Sequence, residues 1–166
     1  MIYKALLAPK SPHFHIYNKK IQPFIAELKK ELSQNGFVGM IDLEGITNKK
    51  LLFQTFVDVF KFPEYFGYNW DAFDECMNDL AWLKVNLYTI ILKNIDKTQL
   101  DQYNKHTLLE LLNRIALEWA KGRNFNTSFT TPPTPFHIII ISDEDKTNEI
   151  IGLLKKEDIL DFDVLK

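Results

Sequence analysis

The chain has 166 residues, with 20 Lys and Arg against 22 Asp and Glu, and 46% of it is hydrophobic. That length and apolar content suit one globular domain with a closed core and exclude wholesale disorder. A formal charge of −2 disfavours direct nucleic-acid binding, which needs clustered cations to displace counterions. The single cysteine, Cys76, permits no internal disulfide or thiolate cluster, so the expected compartment is the reducing cytoplasm. The opening Met1 to Pro9 lacks the apolar run of a signal peptide. No stretch approaches the roughly 20 apolar residues that span a bilayer, so no membrane partner is expected.

In chain order, residues 1 to 36 read as a short strand-like run, a loop holding Pro9, Pro12, His13 and His15, and an amphipathic helix. The apolar stripe of that helix is Ile21, Phe24, Ile25, Leu28 and Leu32, and Asn35-Gly36 supplies the stop. Phe37 to Leu43 reads as a strand. Thr47 is the expected N-cap of a helix carrying Leu51, Leu52, Phe53, Phe56, Val57 and Phe60, which Pro63 terminates. A second helix is expected from Asn69 to about Trp82, with Asn69 as N-cap and Asp71 in the first turn, where the helix dipole favours negative charge.

Leu87 to Leu92 and Phe136 to Ile141 are nearly uninterrupted apolar, β-branched runs, the pattern of strands covered on both faces. Between them Leu100 to Gly122 has the period of a long helix. The Pro-rich run Arg123 to Pro135 reads as a loop insertion, and a last helix is expected over Lys146 to Lys156, followed by a tail of mixed polarity. Strands alternating with helices predict an α/β fold with a parallel sheet.

Some polar residues invite other readings. His13 and His15 flank Phe14 and would share one side of a strand, but no third metal ligand accompanies them, so they are read as solvent-facing. His106 and His137 stand at no helpful spacing. Cys76 falls on an apolar helix face and is read as a small buried hydrophobe. Asp143-Glu144-Asp145 is read as a solvated helix cap. No metal or cofactor is expected.

The charge balance breaks between Phe62 and Leu83, a window with five acidic residues and no Lys, Arg or His. At about 100° per residue, Asp71, Asp74, Glu75 and Asn78 fall on one side of the helix, with Phe73, Cys76, Met77 and Leu80 on the other. Tyr65, Tyr68 and Trp70 adjoin the carboxylates and offer apolar area with a polar handle, though Phe66 and Trp70 are expected to belong to the core. An acidic, aromatic patch of this kind suits a cationic partner. Asp71 and Glu75, one turn apart, could alternatively serve a hydrolase as a carboxylate pair. No Gly-rich phosphate loop, nucleophile elbow or metal signature accompanies them, and an enzyme is not expected.

The run Pro63-Glu64-Tyr65-Phe66-Gly67-Tyr68-Asn69-Trp70-Asp71-Ala72-Phe73, followed by Glu75-Cys76, resembles the signature of the barstar family, intracellular inhibitors of small secreted ribonucleases. The resemblance implies a two- or three-layer fold in which a small, three-stranded parallel sheet is packed by helices. On that basis residues 37 to 142 form the barstar-like domain, with 123 to 135 as the insertion. Residues 1 to 36 are an N-terminal strand/helix extension packing on the core, and residues 143 to 166 a C-terminal helix and tail.

The resemblance also implies that the acidic helix and the loop before it plug the basic active-site cleft of a small ribonuclease or related nuclease toxin, a carboxylate taking the place of an RNA phosphate. The loop aromatic falls on Tyr65, the first helical Asp on Asp71 and the central inhibitory Asp on Glu75. Gly67 is expected to let the loop turn, Asn69 to set the helix start, and Tyr68 to adjoin the surface. Asp74 replaces a large aromatic of the best-known member, and Glu118 stands nearest to a supplementary Glu of the long helix. The alternative is an interaction module on the same scaffold that binds a different cationic partner.

Overall fold

The computed structural model describes residues 3–32, 35–124 and 130–165. Its centre is one five-stranded sheet in the order β2-β3-β4-β1-β5, parallel throughout. The strands are β1 (Phe14–Tyr17), β2 (Phe37–Asp42), β3 (Tyr88–Lys93), β4 (Phe136–Ile141) and β5 (Phe162–Leu165). Helices α1 (Tyr3–Leu6) and α2 (Ile21–Leu32) supply one layer. Helices α3 (Lys49–Phe60), α4 (Trp70–Asp79), α5 (Gln102–Lys121) and α6 (Thr147–Lys156) supply the other. The α/β fold with a parallel sheet packed by helices is thus present, in three layers.

Alternation along the strands divides the core. Tyr88, Ile90 and Leu92 of β3 and Phe136, Ile138 and Ile140 of β4 meet the α3–α6 layer. Ile91 and Ile139 meet Phe24, Leu28 and Leu32 of α2. Two close approaches depend on glycine. A Cβ on Gly39 would lie 2.8 Å from the Phe37 ring and 3.0 Å from Val59, where α3 packs on β2. Gly122, at φ 73° after α5, would press a Cβ to 2.7 Å from the Pro133 backbone, so the Pro-rich segment closes against the helix end.

The sheet is larger than the family resemblance implies: it has five strands rather than three, because β1 and β5 extend it beyond β4. The strand near the N-terminus is not the opening run, which forms α1 from Tyr3 onward; Met1 and Ile2 lie outside the described residues. It is Phe14–Tyr17, inside the stretch read as a loop, and His13 and His15 are buried rather than solvent-facing. The mixed-polarity tail forms β5, with Lys166 outside the described residues.

Helix limits also differ in detail. Asn48 rather than Thr47 caps α3, accepting from the Leu51 amide at 3.0 Å. Helix α4 stops at Asp79 rather than near Trp82, because Leu80 turns left-handed at φ 46° and a separate 3-10 turn, Ala81–Leu83, follows. Of the Pro-rich insertion, residues 125–129 lie outside the described residues; Arg123 and Thr131 pair across its base.

Helix α4 is held by rings. Phe53 of α3 makes edge contacts with Phe66 and Trp70 and a tilted contact with Phe73. Two indole bonds then tie the helix to α5, and a third ties the 3-10 turn after it to α3. Trp70 Nε1 donates to Asn104 Oδ1 of α5 at 3.2 Å, and Trp119 Nε1 of α5 donates to the Met77 carbonyl at 2.9 Å. Trp82 Nε1 donates to the Phe60 carbonyl at 2.8 Å. Phe53→Ala removes the ring shared by loop and helix, and should lower stability by about 3–5 kcal/mol in urea unfolding, the usual range for a buried aromatic truncation.

Candidate functional site

The site follows from the two faces of α4. Phe73, Cys76 and Met77 are buried, with Leu80 just beyond the helix, which leaves Asp71 and Glu75 exposed one turn apart. Asn69 fixes the start: its Oδ1 accepts from the Ala72 amide at 2.8 Å, satisfying one of the helix's first free N–H groups. Asp71 therefore lies in the first turn, near the positive end of the helix dipole.

The preceding loop arranges its aromatics unequally. Phe66 is buried and Trp70 half-buried. Tyr65 is 74% exposed, and Tyr68 is exposed with its hydroxyl donating to Gln54 Oε1 at 2.9 Å. The left-handed residue of this loop is Tyr68, at φ 50°, and not Gly67. Gly67 instead leaves room beside the cap, since a Cβ there would lie 3.0 Å from Asn69 Nδ2. The Tyr65 hydroxyl is held above its ordinary pKa by partial desolvation, with Cys76, Asp79 and Glu75 adding to the effect; the ring thus stands in the field of the acidic helix. Burial, aided by Asp79 and Glu75, pushes the Cys76 thiol up to about 11, which keeps it protonated at neutral pH.

The acidic residues fall into two groups. Asp71 and Glu75 face solvent without an ion pair among the described contacts. Asp74 is half-buried, with Arg114 Nη2 at 3.1 Å and Asn78 Nδ2 donating at 3.0 Å, so its charge is answered within the molecule. Glu118, on the last turns of α5, lies 3.8 Å from Arg123 Nη2. Arg123 also stacks 4.8 Å over the Trp119 ring and donates to the Asn78 carbonyl at 2.7 Å, closing the C-terminal end of α4. Sequence reasoning did not single out Asp79, exposed one turn after Glu75; its four-residue offset carried the signal. Nor did it find the cavity of about 570 Å³ beside these two carboxylates, floored by Tyr88 and Trp119 and bordered by Pro132.

A surface with outward carboxylates and an exposed tyrosine offers contacts suited to cationic groups. Among the described residues, no group of three or more His, Cys, Asp or Glu is placed to hold a metal. No helix among them is long and apolar enough to cross a membrane.

Comparison with known families places residues 37–131 in a match to Barstar (barnase inhibitor). The chain belongs to the barstar family. The match runs from β2 through α5 to the base of the Pro-rich insertion and contains the loop and helix residues Tyr65 to Asp79 together with Glu118. No curated protein matches the sequence.

Solved structures similar in fold include Drosophila ORC bound to AT-rich DNA and Cdc6, with TM-score 0.53 and 14% identity over 98% of this chain and 50% of that one. Drosophila ORC bound to GC-rich DNA and Cdc6 gives TM-score 0.55 and 13% identity over 98% and 51%. The Aeropyrum pernix ORC2 protein in ADPNP–ADP complexes gives 0.58 and 10% over 97% and 42%. This barstar-family chain spans about half the length of those structures, and at such identities the likeness shows the fold alone. Its connection from β1 to α2 is Asn18-Lys19-Lys20, without glycine.

Asn69→Ala should lower stability by about 1 kcal/mol, the usual worth of an N-cap. Asn69→Asp, which keeps a capping oxygen, should stay close to the parent; urea midpoints of the two variants read the difference.

Proposed function

We propose that this barstar-family chain inhibits a small basic ribonuclease by placing the Asp71–Glu75 face of α4, with Tyr65 beside it, in the enzyme's active-site cleft. The observation that carries the reading is the outward display of Asp71 and Glu75 without internal cations, while neighbouring Asp74 is already paired with Arg114. A ribonuclease cleft must hold an RNA phosphate with Arg, Lys or His, and a carboxylate set among those groups forms charge-assisted hydrogen bonds of the same kind. The inhibitor needs only shape and charge, so no cofactor enters.

Position along the surface divides the labour. Asp71 and Glu75 supply the charge, and Tyr65 supplies rigid aromatic area with little side-chain entropy to lose. Gly67, Tyr68 and Asn69 position the loop and the helix start. Glu118 contributes from the rim through its contact with Arg123. The inhibitor acts in the cytoplasm, where a single buried thiol is kept reduced.

A second reading, a module of the same scaffold directed at a different cationic protein, draws support from Asp74. A charge held by Arg114 stands where the best-known member presents an aromatic, and that changes the surface offered to a partner.

The test uses barnase as the probe enzyme. The intact chain should inhibit its RNA cleavage, and Asp71→Ala combined with Glu75→Ala should weaken inhibition by about a hundredfold or more. Truncating one member of a charge pair buried at an interface generally costs about 2–5 kcal/mol, so a single such pair already accounts for a loss of that size. Equal inhibition by both proteins would remove the proposed site.

A further inference from the structure

Of the five polar residues buried among the described ones, four gather on a single patch of the sheet, on the face opposite α4: His13, His15, Thr89 and His137. They cross three neighbouring strands, since Thr89 of β3 is in register with His137 of β4, and His15 of β1 with Ile139 of β4 and Asp163 of β5. Three short contacts form a line. His15 Nδ1 lies 2.5 Å from Asp163 Oδ1, His15 Nε2 lies 3.0 Å from His137 Nδ1, and His137 Nε2 lies 2.9 Å from the carbonyl oxygen of Ala8. Ala8 belongs to the segment that joins α1 to β1 and crosses this face.

Counting hydrogens gives a definite result. Each of the three contacts needs one hydrogen, and the two ends of the line, a carboxylate and a carbonyl, can only accept. Two neutral imidazoles supply two hydrogens. The line is complete only with a third.

If the third is missing, His15 Nδ1–H serves Asp163 and His137 Nδ1–H serves His15, and His137 Nε2 then turns a lone pair toward the Ala8 oxygen. That contact becomes repulsive in a buried setting where an unmade hydrogen bond is expensive. A fourth hydrogen is equally unwelcome, because His15 Nε2 and His137 Nδ1 would both carry one across 3.0 Å.

We propose that Asp163, His15 and His137 form a binding site for one proton, which clamps the N-terminal segment to the sheet through Ala8. The proton arrives from solvent at Asp163, whose side chain is 42% exposed, and resides between that carboxylate and His15. The hydrogens along the line then point one way, from His15 Nε2 to His137 Nδ1 and from His137 Nε2 to Ala8 O. When the proton leaves to solvent, the line reverts to its two-hydrogen arrangement and the Ala8 contact is lost.

Burial, with His15 and His13 adding to it against the Ala8 and Pro12 carbonyls, draws the His137 imidazole down to about 4, so His137 is a poor home for the extra charge. His15 is also lowered overall by burial, but Asp163 and Asp161 oppose that effect, which favours His15 over His137 as the place of the charge. His13, lowered by burial and by His15, lies tilted at 5.5 Å from the His137 ring and leaves its Nδ1 unpaired. Strand β3 contributes only the neutral Thr89 hydroxyl, and α1 and α2 turn Leu6, Phe24 and Leu28 toward this face. The inference is independent of the acidic surface on the opposite side of the sheet.

Imidazole nitrogen NMR on the full chain at pH 6 tests it directly. The expected spectrum has His137 bearing hydrogen on Nε2 with Nδ1 bare, and His15 Nε2 bearing hydrogen. A bare His15 Nε2 with Ala8 still held would overturn the proposal. Asp163→Asn provides the second arm, because the amide Nδ2–H supplies the missing hydrogen to His15 Nδ1 and completes the line with neutral imidazoles. Amide-exchange protection in residues 7 to 13 should fall in the parent by about tenfold per pH unit above the pH at which the proton leaves, as one linked proton requires. In Asp163→Asn that dependence should vanish, and an identical pH dependence in parent and variant would refute the clamp.

Discussion

Four side chains have to leave water together for the acidic helix to exist as a surface at all. Phe73, Cys76, Met77 and Leu80 enter the core beside Phe53, and at 3.6 residues per turn their burial leaves Asp71 and Glu75 no direction but outward. The aromatic contacts of Phe53 fix the helix to α3 and the indole bonds of Trp70 and Trp119 fix it to α5, so the carboxylates stand on a rigid support instead of a loop. Rigidity matters because ordering side chains on binding subtracts from affinity, and a surface organised in advance loses less.

The internal cations sharpen this display. Arg114 occupies Asp74, and Arg123 occupies the region around Asn78 and Glu118, both behind the exposed row. Asp74 and Glu118 thereby have cations of the chain beside them, while Asp71 and Glu75 face solvent. With a net charge of only −2, the negative field of this face is local and is not a property of the whole molecule.

The start of the helix and its two faces were legible because the Asn69 cap and period 3.6 agree there, and β4 was legible because a nearly all-apolar run of six has few other homes in a parallel sheet. The two strands that extend the sheet beyond β4, β1 and β5, were not, and they failed for one shared reason. His15 and Asp163 each place a polar residue on a buried or half-buried strand, and they are tolerated there because they bond to one another across adjacent strands. Read singly, each made its segment look like a loop or a tail. The same pairing explains why His15 looked solvent-facing: the partners that permit its burial lie more than a hundred residues away in the chain. The Arg114 contact of Asp74 was hidden in the same manner, since helical spacing places Asp74 beside Glu75 but cannot show a partner on another helix.

Stopped-flow association with barnase across ionic strength tests the acidic face most directly, because charges that steer an encounter are screened over roughly 8–10 Å at ordinary salt. The parent chain should associate rapidly at low salt and slow steeply as salt is added, while Asp71→Asn with Glu75→Gln should associate slowly and respond far less. Parent and variant rates that coincide at every ionic strength would contradict the claim that these two carboxylates form the docking surface.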